Sequence, residues 1–376
     1  MRTQPQDVIA KLEADNSRLA KEKILLDAMN EGLDEFFEGL KMCLDKLYTF
    51  GVKQVPTKDE VVAGQGCPWN VFKDLAEKLY NRELTGHNAR DAINLVMSSA
   101  TAEQWNGFYR RILIKDLRCG VSEKTVNSVA KKNKFGKYMV PVFTCQLAHD
   151  SANHEKKLVG KKMLEVKLDG VRTLAIVHPD GKVDMLSRNG KEFTNFGHIQ
   201  DEISAVVKQD PPPYPLVLDG EVMSENFQDL MKQVHRKGSA DAKDAVLHLF
   251  DFIPLEEFKK GKWDKTQTLR TAMLKAWYQK HETNLNAVRV LDHEIVDLDT
   301  PEGQTTYTEV NKRAVQGGYE GIMIKDLEAP YECKRSHAWL KLKPFIEVSL
   351  EIKATEEGTG RNAVSYTHLT LPTILL

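Results

Sequence analysis

The sequence predicts an all-α region followed by a larger α+β region built mainly on antiparallel sheets. Three observations carry that expectation. Up to about residue 140, apolar residues recur at three- and four-residue steps: Leu25, Leu26, Met29, Leu33, Phe36, Phe37, Leu40 and Leu44, then Leu75, Leu79, Ala92, Leu95 and Val96. After Pro141 the period changes to two, in β-rich runs at 163–167, 171–177, 182–187, 215–223, 246–253, 321–325 and 338–343. Turn signals separate several of these runs: Pro179-Asp180-Gly181, Asn189-Gly190 and Pro211-Pro212-Pro213. Residues 268–280 and 306–316 read as helices, the second ending at Gly317-Gly318.

Bulk properties narrow the function classes. A chain of 376 residues holds two or three domains, and 41% hydrophobic with 28% charged residues is ordinary for a globular protein. A net charge of −1 leaves any affinity for nucleic acid to local patches. The five cysteines, Cys43, Cys67, Cys119, Cys145 and Cys333, are scattered and never form a Cys-x-x-Cys pair. That pattern argues against a disulfide framework or a zinc site and fits a reducing compartment. No apolar run is long enough to span a membrane and the N-terminus has no secretory pattern, so a cytosolic protein is expected.

The helical region ends in a basic stretch. From Arg110 to Lys137 nine cations (Arg110, Arg111, Lys115, Arg118, Lys124, Lys131, Lys132, Lys134, Lys137) stand against Asp116 and Glu123, an excess of seven. Such a face either meets an anion or is simply solvated. Leu117-Arg118-Cys119-Gly120-Val121-Ser122 reads as one helix ending at Gly120 and another capped by Ser122. A tight glycine turn of that kind offers backbone N–H groups to phosphates.

The most informative strand is Met163 to Lys167. Period two places Leu164 and Val166 on one side and Glu165 and Lys167 on the other, before the turn Asp169-Gly170 and the run starting at Val171-Arg172. A lysine so placed is either a nucleophile or a solvated face residue, and these residues alone do not choose. Leu218-Asp219-Gly220-Glu221 puts two carboxylates on one face of an apolar strand, where a carboxylate needs a partner or a metal. Glu320-Gly321-Ile322-Met323-Ile324-Lys325 brackets another strand with opposite charges. In Trp339-Leu340-Lys341-Leu342-Lys343 the two lysines share a face with Trp339, and the leucines point to the core. Together these residues suit lysine attack on a metal-bound triphosphate, with carboxylates for Mg²⁺ and cations for the phosphates. No Gly-x-x-x-x-Gly-Lys-[Ser/Thr] loop is present, which excludes P-loop chemistry.

The ordered series Lys167-x-Asp169-Gly170-x-Arg172, Ser187-Arg188-Asn189-Gly190, Leu218-Asp219-Gly220-Glu221, Phe250-Asp251-Phe252, Glu320-Gly321-Ile322-Met323-Ile324-Lys325 and Leu340-Lys341-Leu342-Lys343 resembles the covalent nucleotidyltransferases. Within them it resembles ATP-dependent DNA ligases, most of all the T-even bacteriophage type, over roughly residues 15–360. Lys115-Asp116-Leu117-Arg118-Cys119-Gly120-Val121-Ser122 is similar to a stretch in the helical DNA-binding domain of such enzymes.

The resemblance implies a nick-sealing enzyme that uses ATP and Mg²⁺ on nicked duplex DNA and serves replication, repair or recombination. It implies a monomer in a bacterial or phage-infected bacterial cytosol, without membrane contact. Lys167 would accept AMP; Glu165 would read the adenine amino group; Arg172 and Arg188 would contact the ribose or the nick 5′-phosphate. Glu221 would bind the ribose and assist the metal, Glu320 would be a metal carboxylate, Phe250 would stack on adenine, and Lys341 and Lys343 would grip the α-phosphate. DNA contacts are expected from Arg110, Arg111, Lys115, Arg118, Gly120, Ser122 and Lys124. A free lysine has a pKa of about 10.4, and nearby Arg172, Lys341, Lys343 and Mg²⁺ are expected to lower it by like-charge repulsion.

The expected domains are a helical DNA-binding domain at 1–140, an adenylation (nucleotidyltransferase) domain at 141–345, and the first part of a truncated OB-fold at 346–363. Residues 347–353 read as the first strand of that OB-fold. Residues 364–376 fit no ligase segment and read as adapter-derived, and without a full OB-fold poor self-adenylylation is expected. Rival readings are an RNA ligase or capping guanylyltransferase, an NAD-dependent ligase, and a non-catalytic nick-binding protein.

Overall fold

A computed structural model describes residues 3–52, 54–60, 64–224 and 244–344, with the strand backbones Ala354–Glu357 and Thr367–Thr370. Those two strands pair antiparallel. The strand expected at 347–353 lies outside the described residues, as does most of the stretch at 364–376.

The chain divides into two compact units. One comprises Met1–Leu147, Gly170–Leu291 and Glu328–Ala338; the other comprises Ala148–Asp169, Asp292–Leu327 and Trp339–Leu376. The chain passes from the second unit to the first between Asp169 and Gly170.

In the first unit the helices come first: α1 (Pro5–Ala14), α2 (Arg18–Asn30), α3 (Asp34–Leu44), α4 (Trp69–Tyr80), α5 (Gly86–Ser99), α6 (Ala102–Gln104), α7 (Arg110–Leu113) and α8 (Glu123–Lys132). Between α6 and α7 the helix is π-wound over Trp105–Tyr109. The three- and four-residue stripes form one buried core, in which Leu25, Met29, Phe36, Phe37, Leu40, Leu75 and Leu79 pack with Trp105 and Phe108. Leu95, counted in that stripe, is instead 69% exposed.

The helix expected to end at Gly120 ends at Leu113. After it Lys115, Arg118 and Gly120 take left-handed φ angles of 59°, 54° and 65°. Lys115 can occupy a position that favours glycine because its ammonium donates to the carbonyls of Met42 (2.5 Å), Asp45 (2.6 Å) and Tyr48 (2.7 Å). The expected cap at Ser122 is present: its hydroxyl accepts from Thr125 N–H and starts α8.

The sheet of this unit runs β4-β3-β5-β6-β8, from β3 (Val171–Val177), β4 (Val183–Ser187), β5 (Leu216–Met223), β6 (Val246–Pro254) and β8 (Val288–Val290). All its pairs are antiparallel except β6 with β8. Helices α9 (Gly197–Gln209), α10 (Leu255–Lys259) and α11 (Gln267–His281) accompany it, with a two-stranded ribbon of β7 (Lys262–Trp263) and β11 (Tyr331–Glu332).

The second unit carries a sheet in the order β1-β12-β10-β2-β9, from β1 (Leu147–Asp150), β2 (Lys161–Val166), β9 (Glu294–Asp297), β10 (Ile322–Asp326) and β12 (Arg335–Leu342). Helix α12 (Pro301–Gln316) packs on one face of it. That helix starts five residues before the expected 306 because Thr300 caps it and Pro301 takes its first position. Leu164, Ile322, Ile324 and Leu340 meet Val310 and Ala314 of α12 in a core, with Val166 and Leu342 at its edge. The apolar half of the period-two pattern therefore packs against α12.

Candidate active site

The polar face of the second unit's sheet is set by register. Glu165 stands opposite Met323, which stands opposite Lys341; one row further, Met163 stands opposite Lys325, which stands opposite Trp339. Residues directly opposite on antiparallel strands share a face. Lys167 follows β2, and the backbone keeps it in line: its N–H donates to Gly321 O at 2.8 Å, and Glu320 N–H donates back to Lys167 O at 3.1 Å. Gly321 is required here, since its φ is +128° and an added Cβ would lie 2.0 Å from the Leu342 carbonyl oxygen.

On this face one carboxylate joins two lysines. Glu320 Oε2 pairs with the Lys167 ammonium, and Glu320 Oε1 accepts from Lys343 Nζ at 2.8 Å. The side chains of Lys167, Glu320 and Lys343 are 20%, 25% and 40% exposed, so all three are open to a ligand. An amine held as ammonium against a carboxylate has no lone pair for attack, so chemistry needs that pair to loosen.

Behind them lies a drier pair. Lys325 Nζ sits 2.7 Å from Glu165 Oε2, both side chains are nearly fully buried, and the Lys325 ammonium stands 4.6 Å from the centre of the Trp339 ring. Glu165 thus holds Lys325 through Oε2, in a site where both side chains are nearly fully buried. The alternation that groups Glu165 with Lys167 carried no sign of that partner.

In the first unit Arg172 on β3 is the centre of a second group. Its Nε donates to Asp219 Oδ1 at 2.6 Å and its terminal nitrogen to Asp219 Oδ2 at 2.7 Å, a bidentate pair with a fully buried acid. The Tyr331 hydroxyl donates to the same Oδ2 at 2.7 Å. Asp219, expected from its strand position to be a possible metal carboxylate, is therefore occupied as the holder of Arg172. Burial works against the charge of Arg172, but the Asp219 carboxylate outweighs it and raises the pKa well above that of ordinary arginine.

The Arg172 guanidinium lies 4.8 Å from the centre of the Phe250 ring. Phe250 is presented by a β-bulge: Asp219 pairs with Asp251 and Gly220 with Leu249, which leaves Phe250 as the extra residue of β6. Glu221 is half-buried on β5, opposite Arg172. Gly170 is needed where the chain enters β3, because a Cβ there would lie 2.3 Å from Val222 O and 3.1 Å from Glu221 Cγ. Arg188 is exposed in the turn closed by Gly190 N–H to Ser187 O at 2.8 Å.

The donor chemistry at Glu320 tests the expected Mg²⁺. A single carboxylate already matched by two ammonium groups does not make an all-protein cage. It fits a cation that arrives on nucleotide phosphates and keeps most of its waters, as Mg²⁺ does.

The seven expected DNA contacts separate into two kinds. Arg118, Gly120 and Lys124 are exposed, and Ser122 is partly so. Lys115 is turned inward to its three carbonyls. Arg110 Nε donates to Val55 O at 2.9 Å, and Arg111 donates to Leu117 O at 2.8 Å and pairs with Glu13 at 3.0 Å. Each of these three is tied to a partner within the helical region. Sequence reasoning also passed over Tyr331, Arg270 and Asp251; Tyr331 lies in a two-residue strand, too short to show a pattern.

Residues 145–343, more than half of the chain, match the family described as ATP dependent DNA ligase domain. A solved structure named Pmar-Lig_PreS3 is 61% identical; the match covers 96% of this chain and 82% of that one, with a TM-score of 0.62. A protein of Anaeromyxobacter sp. (strain K) named "Probable DNA ligase" is 33% identical over 55% of this chain and 39% of its own length. One of the same name from Rhodococcus opacus (strain B4) is 30% identical over 57% of this chain and 40% of its own length. The chain spans about 40% of the length of the curated relatives it matches.

Proposed function

The chain belongs to the ATP-dependent DNA ligase domain family, and from that premise we propose that it seals nicks in duplex DNA through a lysyl-AMP intermediate. The observation that carries this reading is the carboxylate of Glu320 joined to both Lys167 and Lys343 beside the polar sheet face. An incoming triphosphate offers Lys343 an anionic partner in place of Glu320, and repulsion between the two anions pushes the Glu320 carboxylate off Lys167. Lys167, its ammonium proton passed to solvent, then attacks the α-phosphorus; a P–N bond forms as the bond to pyrophosphate breaks, and a second N–H proton leaves to solvent. The AMP passes to a DNA 5′-phosphate, and a 3′-hydroxyl displaces it to close the backbone. Developing negative charge on the α-phosphate meets Lys341 and Lys343.

The remaining roles follow the same reading. Phe250 stacks on adenine, Arg172 and Arg188 hold the ribose or the nick phosphate, and Glu221 binds the ribose. Glu320, and on its own unit Glu221, would each offer a carboxylate to Mg²⁺, which would neutralise phosphate charge. Exposed Arg118 and Lys124, with the backbone at Gly120 and Ser122, face the DNA phosphates. The likeness to T-even bacteriophage ligases, a monomeric state, a bacterial or phage-infected cytosol and a role in replication, repair or recombination belong to the same proposal. No helix among the described residues is long and apolar enough to cross a membrane.

The test is a sealing assay on a nicked duplex with ATP, GTP or NAD⁺ supplied separately, read on a denaturing gel. Sealing with ATP alone supports the proposal. Sealing of nicked RNA but not DNA, or salt-dependent nick binding without any nucleotide transfer, contradicts it.

A further inference from the structure

We propose that Tyr331 is a positioning residue for the nucleoside: it fixes the Asp219–Arg172 pair beneath Phe250, and the buried Asp251–Arg270 pair backs it. This rests on the ATP reading above and adds Tyr331 and Arg270, which lie in no motif of the series.

The argument starts at the bulge. Asp219 and Asp251 are register partners on β5 and β6, and both are fully buried. Two buried carboxylates side by side are tolerated only if each is compensated. Each has its own arginine: Arg172 grips Asp219, and Arg270 grips Asp251 at 2.8 and 3.1 Å. Gln267 donates to Asp251 Oδ2 at 3.2 Å, and Phe252 N–H donates to Asp251 Oδ1 at 2.8 Å. The residue between Asp251 and the resumption of pairing at Leu249 is Phe250 itself. The two ion pairs therefore bracket the one aromatic ring that the bulge releases from the ladder.

Tyr331 joins the two halves. Its ring lies 5.7 Å from the Arg270 guanidinium, and its hydroxyl reaches Asp219 Oδ2 while accepting from Gln146 N–H at 3.3 Å. Burial and the Asp219 charge raise the phenol pKa well above its ordinary value, so the hydroxyl stays a donor to the carboxylate. Gln146 O accepts from Arg172 at 3.2 Å, which closes the frame around the guanidinium. Arg270 also donates to Ala329 O at 3.0 Å and so anchors the segment that carries Tyr331. Loss of the hydroxyl leaves Asp219 with one donor fewer and frees Arg172 to move relative to Phe250. The effect belongs to the nucleoside end of the substrate, since the lysines that meet phosphate lie on other strands.

The experiment uses the full 376-residue chain and two probes, α,β-methylene-ATP, which cannot transfer AMP, and inorganic tripolyphosphate. Calorimetry of Tyr331→Phe is expected to show about a tenfold weaker Kd for the nucleotide, the scale of one hydrogen bond to a charged group. Tripolyphosphate affinity stays within about twofold of wild type. The double variant Asp251→Leu/Arg270→Met, which removes the backing pair without stranding a charge, is expected to give the same pattern. Unchanged nucleotide affinity, or equal weakening of both probes, overturns the proposal. Failure of the ligase reading shows separately, as a wild-type chain that binds the nucleotide analogue but transfers no AMP from ATP.

Discussion

Lys343 donates to Oε1 of Glu320 at 2.8 Å while the other oxygen of that carboxylate holds Lys167. The proposed nucleophile and the lysine proposed to grip the α-phosphate thus share one counter-ion. Glu320→Gln removes the charge and leaves two ammonium groups near each other, which favours the neutral amine of Lys167. The expected outcome is a pH profile of AMP labelling displaced toward acid, with a lower maximum rate because the cation loses its carboxylate. A profile that stays in place would show that the shared ion pair does not govern the proton on Lys167.

Lys325→Met should be more damaging than any change on the exposed part of this face. It takes the ammonium away from the Glu165 carboxylate in a site where both side chains are almost fully buried. The expected cost is about 3–5 kcal/mol in urea unfolding, whereas Glu165→Leu with Lys325→Met costs far less because no lone charge remains. Equal losses for the single and double variants would mean that packing against Trp339, not charge, sets the cost.

The basic stretch predicts two opposite phenotypes. Lys124→Ala, at an exposed position, should reduce the slope of log affinity for nicked duplex against log salt by about 0.9, one phosphate contact. Lys115→Met should leave that slope unchanged and lower folding stability by roughly 1–3 kcal/mol, because three carbonyls lose their shared donor. A salt slope altered by Lys115→Met would return that lysine to the DNA surface.

His178 supplies a pH dependence of folding. Burial, helped by the Lys182 ammonium, lowers its pKa from 6.5 to about 4. The unfolded chain binds a proton below 6.5 that the folded chain refuses until about 4, so this contribution is complete above 6.5 and is lost as pH falls toward 4. Unfolding free energies of His178→Gln measured across that window should fall less steeply than those of wild type, by something on the order of 2 kcal/mol. Parallel curves would show that His178 titrates normally.

What could be read from the residues, and what could not, divides along physical lines. Period two in Leu164 to Lys167 and in Trp339 to Lys343 was enough to tell core face from polar face, because strand alternation is local, and the buried cluster under α12 bears it out. The Glu165–Lys325 pair was not legible, since it depends on β2 lying beside β10, far along the chain. Neither was the bulge that releases Phe250, which exists only in the pairing of β5 with β6. Charge counting between Arg110 and Lys137 found a basic region but could not tell Lys124, which faces solvent, from Lys115, which fills a left-handed helix end. The direction of a lysine side chain is decided by the carbonyls around it, and those come from residues 42 to 48.

The most direct measurement is covalent labelling of the purified chain by ATP radiolabelled at the α-phosphate, comparing wild type with Lys167→Ala. A band that survives denaturation in wild type and is absent in Lys167→Ala is the predicted result. Labelling that persists in Lys167→Ala would contradict the assignment of Lys167 as the AMP acceptor.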